Sequence, residues 1–219
     1  MNKKERAKEI LKRLRKIYKK SDDDFVAWRT PLQLLVATVL SAQCTDKRVN
    51  IVTKQLFGKY KIAKDYADAE IEQLEKEIKS VGFYRSKAKY LKGIGVILVE
   101  KHGGSVPDRR EDLLELPGVS FKTANLVMAK AFGKPTGVAV DTHVNRLSAR
   151  FGLTKEKQSA DKKAEELEKL YPKDDWLDAN EYMILHGRAV CVARKPRCVE
   201  CPLRDICPSA KEYTNKFWS

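Results

Sequence analysis

Helix signals follow one another along this chain of 219 residues, whereas strand signals are almost absent. Between residues 3 and 20, the apolar side chains Ile10, Leu14 and Ile17 recur at the spacing that places them on one face of a helix. Thr30-Pro31 then pairs an N-cap residue with a proline at the first helical position, and the segment from Leu32 to Ala42 is apolar nearly all round, which predicts a buried helix. About ten helices are predicted in this way, and they assign the chain to the all-α class.

The remaining helices are predicted from capping residues and from glycines that end apolar stripes. They cover residues 45–58, 68–79, 86–103, 108–115, 121–132, 142–151, 159–170 and 176–188. Ser120 and Asp141 are the predicted N-caps of two of them, and Ser21 with the three aspartates after it is typical of a further helix start.

The charge of the chain points to its partner. Lys and Arg number 44 against 30 Asp and Glu, a formal net charge of +14, which favours a polyanion: nucleic acid first and an anionic membrane surface second. A lysine-rich surface also serves solubility, so charge alone names no mechanism. No apolar run reaches the roughly 20 residues that cross a bilayer, and no signal-peptide pattern follows the start. We expect a soluble cytoplasmic protein without a membrane partner.

Four of the five cysteines are concentrated near the end of the sequence. Cys191, Cys198, Cys201 and Cys207 follow the pattern C-x6-C-x2-C-x5-C, whereas Cys44 stands alone on an apolar segment and is interpreted as a small buried residue. A disulfide framework is typical of small secreted chains, so a metal site is favoured. Four sulfurs suit either Zn²⁺ or an iron–sulfur cluster.

The segment Leu116-Pro117-Gly118-Val119-Ser120 predicts a tight turn between two short helices. The N–H groups at such a turn and at the start of the next helix lack intrahelical partners, so they can bind a DNA phosphate without regard to base sequence. An ordinary helix corner is the alternative. Lys122 falls in the first turn of the second helix, where the helix dipole favours the neutral, nucleophilic amine. A solvated lysine that reaches a phosphate is the alternative for this residue.

Several motifs in order resemble the endonuclease III family of DNA glycosylases and AP lyases. They are Leu40-Ser41-Ala42-Gln43-Cys44-Thr45-Asp46, Gly82-Phe83-Tyr84-x-Ser86-Lys87-Ala88, Leu116 to Asn125, Val140-Asp141-Thr142-His143 and the four-cysteine loop. The resemblance extends from about residue 21 to 208. Two positions depart from it: Ser120 stands where the family's turn usually has a second glycine, and Phe121 where a basic or small residue is common.

The resemblance implies a two-domain helix-hairpin-helix DNA glycosylase fold with a C-terminal iron–sulfur cluster loop. Residues 22–135 would form a central bundle, and residues 1–21 plus 136–219 a cluster-bearing domain, with the DNA groove between them. The cysteine spacing resembles the family's loop for a [4Fe–4S] cluster, which favours iron over zinc. The cluster would fix a basic segment for DNA rather than take part in the catalytic step.

The resemblance also assigns roles to individual residues. Lys122 would attack C1′ of an extruded nucleotide and Asp141 would stabilise charge on the sugar, in addition to its capping role. Gln43 and Phe83 would enter the DNA from two sides; a core position for Phe83 and insertion of Tyr84 are the alternatives. The other predicted DNA contacts are Gly118, Val119, Ser120, Thr123, Arg194, Lys195 and Arg197.

The implied function is a base-excision repair enzyme that acts as a monomer on double-stranded DNA with damaged bases or abasic sites. It would release oxidised pyrimidines and nick the strand by β-elimination. A monofunctional adenine or mismatch glycosylase and a non-enzymatic DNA-binding module are the alternatives. Adenine-specific relatives carry a glutamate near the position of Thr38 and lack the hairpin lysine, which argues against the first.

Overall fold

The computed structural model describes residues 1–21 and 24–218, and within these ranges it contains twelve α-helices and no strand, which confirms the all-α class. The helices are α1 (Lys3–Ile17), α2 (Pro31–Ser41), α3 (Asp46–Lys59), α4 (Ala63–Asp68), α5 (Ile71–Glu77), α6 (Tyr84–His102), α7 (Arg110–Leu114), α8 (Phe121–Phe132), α9 (Thr142–Arg150), α10 (Ala160–Leu170), α11 (Trp176–Ala189) and α12 (Ala210–Trp218). None of the described helices is long and apolar enough to span a membrane.

Capping residues set four of the helix starts as predicted. In each, the side-chain oxygen accepts a hydrogen bond from the backbone N–H three residues further on, so that an unpaired donor of the first turn is satisfied. The four residues are Thr30, Thr45, Ser120 and Asp141.

Other boundaries differ from the prediction because tertiary contacts override the local pattern. The helix predicted over 68–79 is the shorter α5, because the chain is not helical at Ala69, whose carbonyl accepts a hydrogen bond from Lys92 of α6. Helix α7 begins after Arg109 and is not capped by Asp108. The carboxylate of Asp108 binds Lys134 instead. Helices α4 and α12 were not predicted.

The helix start predicted at Ser21 depends on Asp22 and Asp23, which lie outside the described residues.

The chain divides into two compact units. The central unit comprises residues 21–134 with α2 to α8, and the terminal unit comprises residues 1–20 and 135–219 with α1 and α9 to α12. The divisions fall one residue before those expected from the sequence, and Asp22, the first residue of the expected domain, is outside the described ranges.

The central unit is built around α6 and α2. Leu91, Ile94 and Leu98 of α6 are buried, and α2 is buried on nearly all sides, as its apolar sequence predicts. Gly95 lets α4 come close to α6, because a Cβ atom there would lie 2.5 Å from the backbone nitrogen of Ala67. The same helix α6 contacts the segments that carry the predicted DNA-binding residues of this unit.

The terminal unit joins the two ends of the chain. Ile10 and Leu14 of α1 are buried, and α1 packs against α10 and α11. The hydroxyl of Tyr18 lies 2.9 Å from Nδ1 of His186, which is fully buried. Polar contacts between distant parts of the sequence therefore accompany apolar packing in this unit.

Candidate functional site

The predicted hairpin is present between α7 and α8. Gly118 has a φ of 77°, and the Val119 N–H donates to the Leu116 carbonyl at 3.2 Å, which closes the turn. A Cβ atom on Gly118 would lie 2.5 Å from a ring carbon of Tyr90. Glycine is therefore required here both for the backbone conformation and for the approach to Tyr90.

Ser120, which departs from the family's glycine, does not distort the hairpin. Its φ of −92° and ψ of 169° are extended values that any residue adopts. Its Oγ accepts the N–H of Thr123, and the buried Thr123 hydroxyl lies 3.2 Å from the same oxygen. The Thr123 N–H is thus already used, whereas Phe121 and Lys122 at the helix start have no intrahelical acceptor. These two N–H groups can face an anion.

Lys122 is exposed in the first turn of α8, directly after the hairpin. Phe121 beside it is 56% exposed, and the guanidinium of Arg110 lies 6.0 Å from the centre of its ring. Phe121 therefore presents an aromatic surface next to the predicted nucleophile. The sequence contained this residue only as a departure from the family pattern.

In the terminal unit, Asp141 is fixed by a hydrogen bond to its own side chain and by hydrogen bonds to the segment before it. Its Oδ1 accepts the Val144 N–H at 2.7 Å, and the side chain is half-buried. In the segment before it, the Val138 N–H donates to Glu168 and the Ala139 carbonyl accepts from the buried Asn180. Glu168 and Asn180 were not predicted, because their partners lie some thirty to forty residues away in sequence.

Gln43 and Phe83 share an uncommon backbone conformation. Their φ angles are 53° and 58°, in the left-handed region that non-glycine residues seldom adopt. Both side chains are exposed, Phe83 to 66%, whereas Tyr84 is half-buried against the core. The two segments are neighbours, since a Cβ atom on Gly82 would lie 3.5 Å from the Gln43 carbonyl oxygen. The structure thus places Phe83 rather than Tyr84 at the surface.

Lys87 is a buried lysine beside these two segments. It is 4% exposed, and its Nζ donates to the carbonyls of Leu40 and Ala42. Burial lowers the pKa of its amine, although the nearby Cys44 acts in the opposite direction. The sequence contained Lys87 within a family motif but gave no signal of its role.

The four predicted ligand cysteines line one cavity in the terminal unit. Its volume is about 340 Å³ including the part open to solvent, and Arg150, Phe151 and Tyr213 also line it. All four cysteines are free thiols. Cys44 belongs to the central unit, in the turn after α2, where it is half-buried against the core.

The donors around this cavity fit an iron–sulfur cluster. Arg150 donates to the sulfur of Cys191 at 3.3 Å, and backbone N–H groups are directed at the sulfurs of Cys201 and Cys207. Burial raises the pKa of the Cys201 thiol to about 12 and that of Cys207 to about 11, so positive partners are needed to hold them as thiolates.

The donor set of the cavity consists of four cysteine sulfurs from one loop. Four sulfurs around one cavity suit a cluster in which each cysteine binds a different iron.

The basic residues of the cysteine loop differ in their surroundings. Arg194, Lys195 and Arg197 are all exposed. Arg197 also donates to the Ala189 carbonyl at the end of α11 and pairs with Glu200 at 3.8 Å. Its guanidinium therefore holds the loop, in addition to any role toward DNA.

The comparisons with known proteins agree with this geometry. Residues 36–173 match the model of the HhH-GPD superfamily of base excision DNA repair proteins, and residues 191–207 match the iron–sulfur binding domain of endonuclease III. Endonuclease III from Synechocystis sp. is 51% identical over 96% of this chain and 95% of its own. This chain belongs to the endonuclease III family.

Solved structures of this family have the same fold. A non-covalent endonuclease III–DNA complex matches with a TM-score of 0.92 and 41% identity, over 98% of this chain and all of the other. A trapped endonuclease III–DNA covalent intermediate matches with a TM-score of 0.90 and 42% identity, over 97% of this chain and 99% of the other.

Family membership confirms three predictions made from the sequence. The fold is that of the helix-hairpin-helix glycosylases. The enzyme is a base-excision DNA glycosylase with AP-lyase activity. The cofactor is a [4Fe–4S] cluster, which, when bound, supplies iron–thiolate bonds that fix the loop between Cys191 and Cys207.

Proposed function

We propose that this enzyme releases oxidised pyrimidines from duplex DNA and cleaves the strand at the resulting abasic site, with Lys122 as the nucleophile. The observation that carries the proposal is the exposed amine of Lys122 in the first turn of α8, directly after the hairpin with its unpaired N–H groups. These N–H groups bind a phosphate of the damaged strand, and one of them belongs to Lys122, which also carries the attacking amine.

The reaction begins when the neutral Lys122 amine attacks C1′ of the extruded nucleotide. The C1′–N bond breaks and the base leaves with a proton, while the Asp141 carboxylate stabilises the positive charge on the sugar. Loss of the ring oxygen as a leaving group opens the sugar and gives an imine between Nζ and C1′. A proton then leaves C2′, the C3′–O bond breaks, and the 3′ fragment departs with its phosphate. Water hydrolyses the imine and restores the amine.

DNA binding in this proposal uses both units. Gln43 and Phe83 enter the stack and fill the space that the extruded nucleotide leaves. Gly118, Val119, Ser120 and Thr123 form the hairpin that places the N–H donors, and Arg194, Lys195 and Arg197 contact further phosphates. These contacts are independent of base sequence, as a repair enzyme that must act anywhere in a duplex requires. We further infer that the enzyme acts as a monomer. We also infer that it acts on DNA of the bacterial nucleoid, since the relatives are bacterial.

Borohydride trapping tests the nucleophile. During incubation with a duplex that carries one thymine glycol, borohydride reduces the imine and leaves a protein–DNA adduct, which we expect to be absent in Lys122→Ala. The matched control is Lys130→Ala, two turns further along the same helix, which retains the adduct. Base release without an adduct in the wild type would favour a monofunctional glycosylase instead, and binding with neither would favour a DNA-binding module.

The same assay separates the two roles of Asp141. Asparagine caps a helix nearly as well as aspartate, so Asp141→Asn keeps α9 intact while it removes the charge. We expect its thermal unfolding to stay close to that of the wild type and its rate of base release to fall by about 100-fold or more. A wild-type rate in the folded variant contradicts the catalytic role.

A further inference from the structure

The loop that carries Gln43 is a strained β-turn. The Cys44 N–H donates to the Ser41 carbonyl at 3.0 Å, and Ala42 has φ −56° and ψ 118° before the φ of 53° at Gln43. These angles are those of a type II turn, which normally has glycine or asparagine at the third position. A glutamine at this position carries a conformational cost that a surrounding contact must offset.

Lys87 supplies that contact. Its Nζ lies 2.6 Å from the carbonyl oxygen of Ala42 and 2.9 Å from that of Leu40. The Ala42 carbonyl belongs to the central peptide of the turn. Type I and type II turns differ mainly by a half-turn of this peptide, and a type I turn would return Gln43 to a negative φ. A hydrogen bond to the Ala42 oxygen therefore holds the turn in the form that strains Gln43.

The same lysine is tied to the segment of Phe83. Its backbone N–H donates to the Phe83 carbonyl at 3.1 Å, the first hydrogen bond of α6. Lys87 thus contacts one insertion segment with its side chain and the other with its main chain. Tyr90, one turn further along α6, supports Gly118 of the hairpin, so one helix aligns three of the proposed DNA-binding segments.

We propose that Lys87 is a positioning residue for base extrusion: it locks the turn at Ala42 and so fixes Gln43 in register with Phe83. The inference rests on the proposed function, since it assumes that Gln43 and Phe83 enter the DNA. Lys87 itself is buried and touches no substrate. Its effect passes through the turn, so removal of the Gln43 side chain removes most of what Lys87 contributes.

A double-mutant cycle tests this coupling. The rate of base release from a thymine glycol duplex is measured under single-turnover conditions for Lys87→Met, Gln43→Ala and the double variant. We expect Lys87→Met to slow the reaction between about tenfold and 100-fold, as misplacement of a distant positioning group does. The double variant should be no slower than the slower single variant, whereas a general loss of stability would multiply the two effects.

A fluorescence signal adds a readout of extrusion itself. The fluorescence of 2-aminopurine beside the lesion increases when the base stack opens. We expect this increase to be smaller with Lys87→Met than with the wild type, and similar to the increase with Gln43→Ala. The matched control is Lys92→Met, also on α6, whose amine binds the Ala69 carbonyl at 2.9 Å away from the insertion loops. Its effect should be small and should multiply with that of Gln43→Ala.

The outcomes distinguish this inference from the proposed function. If Gln43→Ala reacts at the wild-type rate, the proposed role of Gln43 fails and the inference fails with it. If Gln43→Ala is slow but Lys87→Met is not, or if their effects multiply, only the inference is overturned. Should Lys87→Met not fold, the same cycle with Lys87→Arg decides, because the longer side chain displaces the turn while it keeps its donors.

Discussion

The central and terminal units bury polar side chains in different ways. In the central unit, buried threonines such as Thr38 and Thr53 donate to carbonyls of their own helices, four residues back. In the terminal unit, the buried Lys163 and His186 bind partners outside their own helices, among them the Asn145 carbonyl and Tyr18. These threonines of the central unit thus make local polar bonds, with Lys87 as a long-range exception, whereas Lys163 and His186 of the terminal unit bond between distant segments.

This difference indicates which substitutions should destabilise each unit. A core of apolar side chains loses stability in proportion to the volume removed at one place. A unit that joins distant segments through hydrogen bonds and a cluster depends on groups that must all be present together. We therefore expect damage to the cysteine loop to spread within the terminal unit and damage to the apolar core to weaken the central unit.

The largest effect is expected from the cluster ligands. Replacing Cys198 and Cys201 together by serine removes bound iron, and structural metal sites in small domains contribute on the order of 10 kcal/mol. Hydrogen exchange should accelerate in the terminal unit while the amides of α6 keep their protection, and DNA binding should weaken. Cys44→Ser is the control and should retain its full iron content. Iron retained in the double variant contradicts the ligand assignment.

An intermediate effect is expected in the central core. Leu91 is fully buried on α6, so Leu91→Ala leaves a cavity and should lower the free energy of unfolding by about 2–5 kcal/mol. Denaturant unfolding measures this loss, and iron content should not change. Val99→Ala on the same helix, at a position 39% exposed, should cost less than about 0.5 kcal/mol. Equal losses would mean that α6 is not the centre of this core.

The smallest effect is expected from Asp178, which links α11 to both Arg15 and Lys20. Partial burial alone would raise the pKa of this carboxyl, but the hydrogen bonds from Lys20 and Arg15 outweigh it, and the pKa lies below its usual value. The lowered pKa means that its contribution is complete above the unfolded pKa of about 4 and is lost as the pH falls through the folded pKa.

Thermal unfolding as a function of pH tests this sign. Asp178→Asn should be less stable than the wild type by about 1 kcal/mol at pH 7, and the difference should shrink on acidification. Asp174→Asn is the control, since this exposed carboxylate shows no ion pair among the described residues. A difference that grows at low pH contradicts the assignment.

Local sequence patterns sufficed for the parts of the fold that depend on neighbouring residues. The caps at Ser120 and Asp141, the burial of α2 and the cysteine loop were all predicted from short segments. The break at Ala69 and the anchoring of the Ala139 carbonyl by Asn180 were missed, because each depends on a partner far away in sequence.

The candidate site shows the same limit. A motif indicated Gln43 and Phe83 as DNA-binding residues, but no pattern in the sequence predicts that both have left-handed backbones. The sequence did not predict the burial of Lys87 either, because a lysine in a basic chain is typically found on the solvated surface. The catalytic roles of Lys122 and Asp141 remain predictions that the trapping experiment decides.

The joining of both chain ends in one unit has a consequence for synthesis on the ribosome. Helix α1 precedes the other described helices, but α10 and α11, which pack against it, follow more than 140 residues after Leu14. At a synthesis rate of about 5–20 residues per second, the apolar face of α1 stays uncovered for on the order of ten seconds or more before these helices are made. The lysines and arginines on the other face of α1 keep the helix soluble while its apolar face is uncovered. The positive charge of α1 therefore acts in the nascent chain before it acts in the folded enzyme.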